Sequence, residues 1–137
     1  MNLLVTGAWK CSNEQLKSLE NLGNVVTFMQ NEKDALPLKY EDVEGVICNG
    51  LFLSHDIKKF TSLKYIQLTS AGFDRVDMNY VAEKGIKIYN ARGVYSIPMS
   101  EYAVGGVLQT YKQAKFFTLN QLNKVWEKHR GVLELYG

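Results

Sequence analysis

Apolar residues in this chain gather in short runs, each closed by a glycine, an asparagine or a polar turn. Leu3 to Thr6, Val25 to Met29, Gly45 to Cys48, Leu63 to Leu68 and Ile86 to Tyr89 have the length and β-branched content of buried strands. The segments between them change period. Ser12 opens a helix: its hydroxyl can accept from the free amides of the first turn, and Gln15 completes a capping box. Leu16, Leu19 and Leu22 place an apolar stripe on that helix, and Gly23 stops it where a left-handed residue is easy. Gln30 to Glu44 is polar, contains Pro37 and reads as loop. A short helix is predicted over Ser54 to Phe60. Asp77 caps another, with Val76 and Val81 spaced as a hydrophobic staple and Gly85 as its stop.

From Ser96 the pattern shifts to a longer helical period. Pro98 suits a first turn, and Tyr102, Ala103, Val107, Leu108, Tyr111 and Ala114 recur at helical spacing. Gly105-Gly106 lies inside this helix, which weakens it unless another backbone packs closely there. A last helical piece is predicted over Leu119 to Lys128.

Five strands alternating with helices predict an α/β fold: a flavodoxin-like, doubly wound parallel five-stranded sheet followed by a long helix. Ligands of such sheets sit outside the carboxyl ends of the strands. That singles out Thr6-Gly7, Asn49-Gly50, Ser70-Ala71-Gly72 and Asn90-Ala91.

Composition narrows the classes. At 137 residues with 46% apolar content, the chain can build a packed core. A net charge of +2, from 16 basic and 14 acidic residues, gives no nucleic-acid footprint, and no Lys/Arg run exceeds a pair. Cys11 and Cys48 are too few for a disulfide framework and lack metal-ligand spacing, which fits a reducing compartment. The N-terminus has no basic, apolar leader pattern and no long apolar stretch follows, so a cytoplasmic protein without a membrane segment is expected. His55 and His129 read as packing or surface histidines, and Asp74 and Asp77 as turn and cap residues rather than a catalytic pair.

The middle of the chain carries a resemblance. Leu63-Lys64-Tyr65-Ile66, then Gly72-Phe73-Asp74-Arg75-Val76-Asp77, then Lys84-Gly85-Ile86-Lys87-Ile88-Tyr89-Asn90 stand in an ordered series. Asn90-Ala91-Arg92-Gly93-Val94-Tyr95-Ser96, Met99-Ser100-Glu101, Trp126 and Glu134-Leu135-Tyr136-Gly137 continue it. This series resembles the D-isomer-specific 2-hydroxyacid dehydrogenases, in the part that binds substrate.

The resemblance implies a substrate-binding domain over 1–95. It implies that 96–137 form an interdomain and dimerisation helix with a linker toward an NAD-binding domain. The family's Gly-x-Gly-x-x-Gly loop and its catalytic Arg, Glu and His are expected downstream of Gly137. No catalytic residue is therefore assigned here, and the chain alone is expected to neither bind NAD or NADP nor turn over. The family moves a hydride between a nicotinamide and C2 of a 2-oxo or 2-hydroxy acid. By the resemblance, backbone amides of Asn49, Gly50 and Leu51 and of Ser70, Ala71 and Gly72 hold the substrate carboxylate; small residues and successive free amides make an anion nest. Tyr95 would line the site and Met99 would face the nicotinamide; an exposed loop aromatic and a packing methionine are the plainer readings. The Ser96 to Asn120 stretch would form a homodimer contact. The competing class is a non-catalytic flavodoxin-like binding or oligomerisation module. Thr6-Gly7 and Asn49 stand where a receiver domain needs acids, and Gly7-Ala8-Trp9-Lys10 is a poor phosphate loop.

Overall fold

The computed structural model describes residues 1–136; Gly137, the last residue of the Glu-Leu-x-Gly segment, lies outside them. The described chain forms two compact units, Met1–Gly93 and a second from Val94 onward.

The first unit is an all-parallel five-stranded sheet. Its strands are β1 (Asn2–Thr6), β2 (Val25–Met29), β3 (Gly45–Cys48), β4 (Tyr65–Leu68) and β5 (Lys87–Tyr89), in the spatial order β2-β1-β3-β4-β5. This is the doubly wound order expected for a flavodoxin-like sheet. Leu3 pairs with Val26 on one side and Gly45 on the other; Cys48 stands opposite Leu68. The central strands are buried on both faces, as their continuous apolar runs require.

Helix α1 (Asn13–Asn21) begins with the predicted capping box: Gln15 N donates to Ser12 Oγ and Ser12 N to Gln15 Oε1. Gly23 follows at φ 84°, the left-handed stop. Leu16 and Leu19 are half-buried, but Leu22 is 79% exposed. It lies past the last helical residue and about 120° around the axis from Leu16, so it leaves the stripe. The predicted helix over Ser54 to Phe60 is displaced. A single turn, α2 (Leu51–Ser54), comes first, and a 3-10 turn at Ile57–Lys59 follows. His55 is extended between them at φ −123°, and Asp56 caps the second turn through Lys58 N. Helix α3 (Met78–Lys84) keeps its predicted ends: Asp77 accepts from Tyr80 N, and Gly85 is left-handed. Val76 and Val81 both lie in the core.

The core is one cluster. Phe60, 1% exposed, meets Tyr40 and Phe52 edge-on at 5.0 and 5.6 Å, against Leu4, Val43, Val46, Leu51 and Ile66. Removing a ring so enclosed costs about 3–5 kcal/mol in comparable cores.

In the second unit α4 (Ser96–Tyr111) and α5 (Ala114–Leu122) replace the single long helix and its later piece. Gln113, at φ 52°, breaks the axis, and Lys124, at φ 53°, follows the end of α5. Neither residue is a glycine or proline, so the sequence carried no breaker signal. Gly105 and Gly106 have nothing within 4 Å of an added Cβ, so the close backbone expected there is not among the described residues. Among the described residues no helix is long and apolar enough to cross a membrane.

Candidate functional site

Three loops converge at the carboxyl end of the sheet: those leaving β2, β3 and β4. Strand adjacency brings the last two side by side, with Thr69 N donating to Cys48 O at 2.9 Å.

The loop after β4 is fixed through its carbonyls. Ala91 N donates to Ser70 O at 2.9 Å, Asn90 Nδ2 to Ala71 O at 2.6 Å, and Ser70 Oγ to Gly72 O at 3.0 Å. In a planar trans peptide the carbonyl and the next amide point opposite ways. Pinning three successive carbonyls therefore turns the amides of Ala71, Gly72 and Phe73 away from those donors. Ala71 and Gly72 are exposed and Ser70 is half-buried. Gly72 has no left-handed backbone to explain it; a Cβ there would meet Asp74 Oδ1 at 2.7 Å.

The loop after β3 is arranged differently. Its amides already hold a carboxylate, that of Glu32. Asn49 N donates to Glu32 Oε1 and Gly50 N to Oε2, each at 2.7 Å. Thr6 Oγ1 adds a third bond to Oε1, also at 2.7 Å. Leu51 is fully buried and packs in the core cluster, so its side chain faces the core rather than a ligand. Gly50 is at φ −126°, a conformation open to any residue, and a Cβ there would be in ordinary contact with Leu53 and Glu32. Asn49 Oδ1 is buried with no hydrogen-bond partner.

Behind this clasp lies a second anchor. His55, 7% exposed, donates from Nε2 to Glu32 O at 2.9 Å, which leaves Nδ1 to accept from Tyr40 Oη, also at 2.9 Å. His55 is thus a packing residue. His129 accepts from Gly131 N and stands 5.0 Å from the Phe116 ring. Cys48 is buried; desolvation, then the Glu32 carboxylate, push its thiol far above the usual range. Sequence reasoning missed Glu32 and Tyr40; it singled out the Thr6-Gly7 loop without giving Thr6 a partner. Glu32 sits in a long polar loop where an acid draws no notice, and only the strand order brings it to Thr6 and Asn49.

Tyr95 and Met99 lie in the second unit, at the N-cap and in the first turn of α4, 47% and 68% exposed. Gly105-Gly106 does not form a dinucleotide loop. Gly105 and Gly106 are mid-helix with no preceding strand, and they frame no cradle that a Cβ would fill. Nor do the described residues hold a His/Cys/Asp/Glu cluster able to bind a metal.

Comparison with known proteins agrees with this architecture. The chain is 30% identical over 127 residues to D-3-phosphoglycerate dehydrogenase of Methanocaldococcus jannaschii, covering 90% of this chain and 24% of that protein. The chain thus spans about a quarter of that relative's length. Among solved structures, the NADPH-dependent glyoxylate/hydroxypyruvate reductase of Sinorhizobium meliloti, in complex with citrate, superposes with a TM-score of 0.73 at 20% identity, over all of this chain and 45% of that one. The D-lactate dehydrogenase of Aquifex aeolicus, complexed with NAD and lactic acid, gives 0.71 at 18% identity, over 96% of this chain and 40% of that one. At these identities the two structures establish the fold. The family model for the D-isomer specific 2-hydroxyacid dehydrogenase catalytic domain matches residues 3–131, and on that match the chain belongs to the D-isomer-specific 2-hydroxyacid dehydrogenase family.

Proposed function

We propose that this chain is the substrate-binding part of an NAD(P)-dependent oxidoreductase that acts on small D-2-hydroxy acids. Residues 1–95 act as the substrate domain, and the segment from Ser96 onward joins it to a nucleotide-binding domain and to a second copy. The pinned carbonyls of Ser70, Ala71 and Gly72 carry this reading. They leave the amides of Ala71 and Gly72 on the opposite side of their peptides from those donors, and successive amides of this kind can receive an anion. The substrate carboxylate sits on that loop. Asn49, Gly50 and Leu51 form the adjoining wall, with the amides of Asn49 and Gly50 engaged by Glu32. By the family resemblance, Tyr95 is assigned to the substrate and Met99 to the cofactor.

The hydride comes from NAD(P)H when a nucleotide domain is present. The residues of this chain bind and orient the acid; none of them transfers the proton. Alone, the chain binds the acid weakly and does not bind NAD. Membership of the family and the free thiols of Cys11 and Cys48 support a cytoplasmic setting.

The test is an amide-resonance titration of the isotope-labelled chain with D-glycerate, alongside calorimetry with NAD. The reading expects the Ala71 and Gly72 amides to move and no heat from NAD. Shifts confined to other loops, or tight NAD binding, would overturn it.

A further inference from the structure

The order β2-β1-β3-β4-β5 has its topological switch point between β1 and β3. Ligands of open parallel sheets gather in the crevice at that point. Here the crevice mouth is held by the chain's own Glu32. Its carboxylate takes three donors at 2.7 Å, from Thr6 at the end of β1 and from Asn49 and Gly50 just past β3. His55 holds its backbone carbonyl at 2.9 Å. Main chain and side chain are both anchored, so the charge is fixed in place.

We propose that Glu32 is a specificity-determining residue: an internal anion that bars a second acidic group on the substrate. The inference rests on the reading that Ser70–Gly72 receive the carboxylate. The β3 and β4 exit loops leave hydrogen-bonded neighbouring strands, which lie about 4.8 Å apart. A ligand on the β4 loop is therefore within about one Debye length, roughly 8–10 Å, of the Glu32 charge. An acid with a single carboxylate presents a neutral remainder to that wall. A phosphorylated acid brings roughly 1.5–2 further negative charges. It meets a carboxylate that already occupies the amides able to hold them. The substrate class is a small 2-hydroxy or 2-oxo acid with one acidic group.

D-glycerate and 3-phospho-D-glycerate differ only in the phosphate, so the ratio of their affinities isolates this effect. The chain is expected to prefer D-glycerate by about tenfold, the size of a few screened charge pairs at this separation. Glu32→Gln keeps an acceptor and removes the charge; it is expected to narrow the preference about fivefold. A folded Glu32→Gln chain with an unchanged preference overturns the proposal and leaves Glu32 a structural clasp. Tighter binding of the phosphorylated acid by the unaltered chain overturns it as well.

If the variant does not fold, salt decides. Raising ionic strength from about 0.01 M to about 1 M shortens the Debye length from about 30 to about 3 Å. The preference must then shrink; one indifferent to salt overturns the proposal. The two readings fail separately. If neither acid moves the Ala71 and Gly72 amides, both fall. If D-glycerate moves them and the preference does not depend on Glu32, only this one falls.

Discussion

The hydroxyl of Tyr40 donates to Nδ1 of His55 at 2.9 Å, and the other ring nitrogen of His55 is committed to the carbonyl of Glu32. A buried imidazole therefore ties the loop between β2 and β3 to the end of α2. Tyr40→Phe leaves Nδ1 without a donor while keeping the ring against Phe60. The expected loss is about 1–2 kcal/mol, the cost of a buried group left unpaired. Urea unfolding with an unchanged slope would measure it; a loss of nearly zero would mean that water replaces the hydroxyl.

Two glycines should respond in opposite directions. A Cβ on Gly7 would run into the Gln30 carbonyl oxygen and stand 2.7 Å from Gln30 Nε2. The exit of β1 needs that close approach, so Gly7→Ala is expected to cost about 1–3 kcal/mol. Gly105 lies inside α4 with open space around it. Gly105→Ala is expected to raise helix stability by about 0.5–1 kcal/mol. Thermal melts of the two variants against the parent chain settle both signs.

Acid should weaken the amino-terminal edge of the sheet, where Glu44, just before β3, ties the start of β1 to the residue before β4. Lys64 Nζ donates to Glu44 Oε1 at 2.7 Å and Asn2 N to Oε2 at 2.9 Å. The Lys64 hydrogen bond first, and the Asn2 amide second, hold the Glu44 carboxyl below its ordinary 4.5. A group with a depressed folded pKa stabilises above its unfolded value, and that stabilisation is lost as pH falls through the folded value. The advantage of the parent chain over Glu44→Gln is therefore full above about pH 5. It should fade below 4.5. Denaturant midpoints across that range would show it; a constant gap would contradict it.

Self-association is expected through the second unit. Ile97, Met99 and Tyr102 on α4, and Leu122 and Trp126 beyond it, are 68–94% exposed. A cavity of about 480 Å³ opens between Phe117, Val125 and Trp126. Surfaces this apolar are usually covered. Sedimentation at tens of micromolar should reveal dimers, and Tyr102→Glu should return the chain toward monomer. A parent chain that is monomeric there would contradict the expectation.

The sheet was legible because its signals are local. Ser12 with Gln15, Asp77, Gly23 and Gly85 mark helix ends through their own side chains or backbone, and the folded chain uses each in that role. What was not legible depends on distant partners. Glu32 has no local signature, since Thr6 and Asn49 reach it from 26 and 17 residues away. The break at Gln113 was hidden because a glutamine in a left-handed conformation is set by its surroundings rather than by its type. In the β4 exit loop, sequence pointed to Ser70, Ala71 and Gly72. It could not say that their carbonyls, and not their amides, are the groups the protein itself consumes.

The burial of Cys48 has a practical consequence. Its thiol is sealed in the core and held protonated, whereas Cys11 is half-exposed in the turn after β1, its amide bonded to Trp9 O. A thiol-directed fluorophore or spin label would therefore attach at one position without any cysteine being removed. That position follows the carboxyl end of β1, the strand that delivers Thr6 to Glu32. The native sequence thus carries its own reporter handle for watching what happens at this end of the sheet.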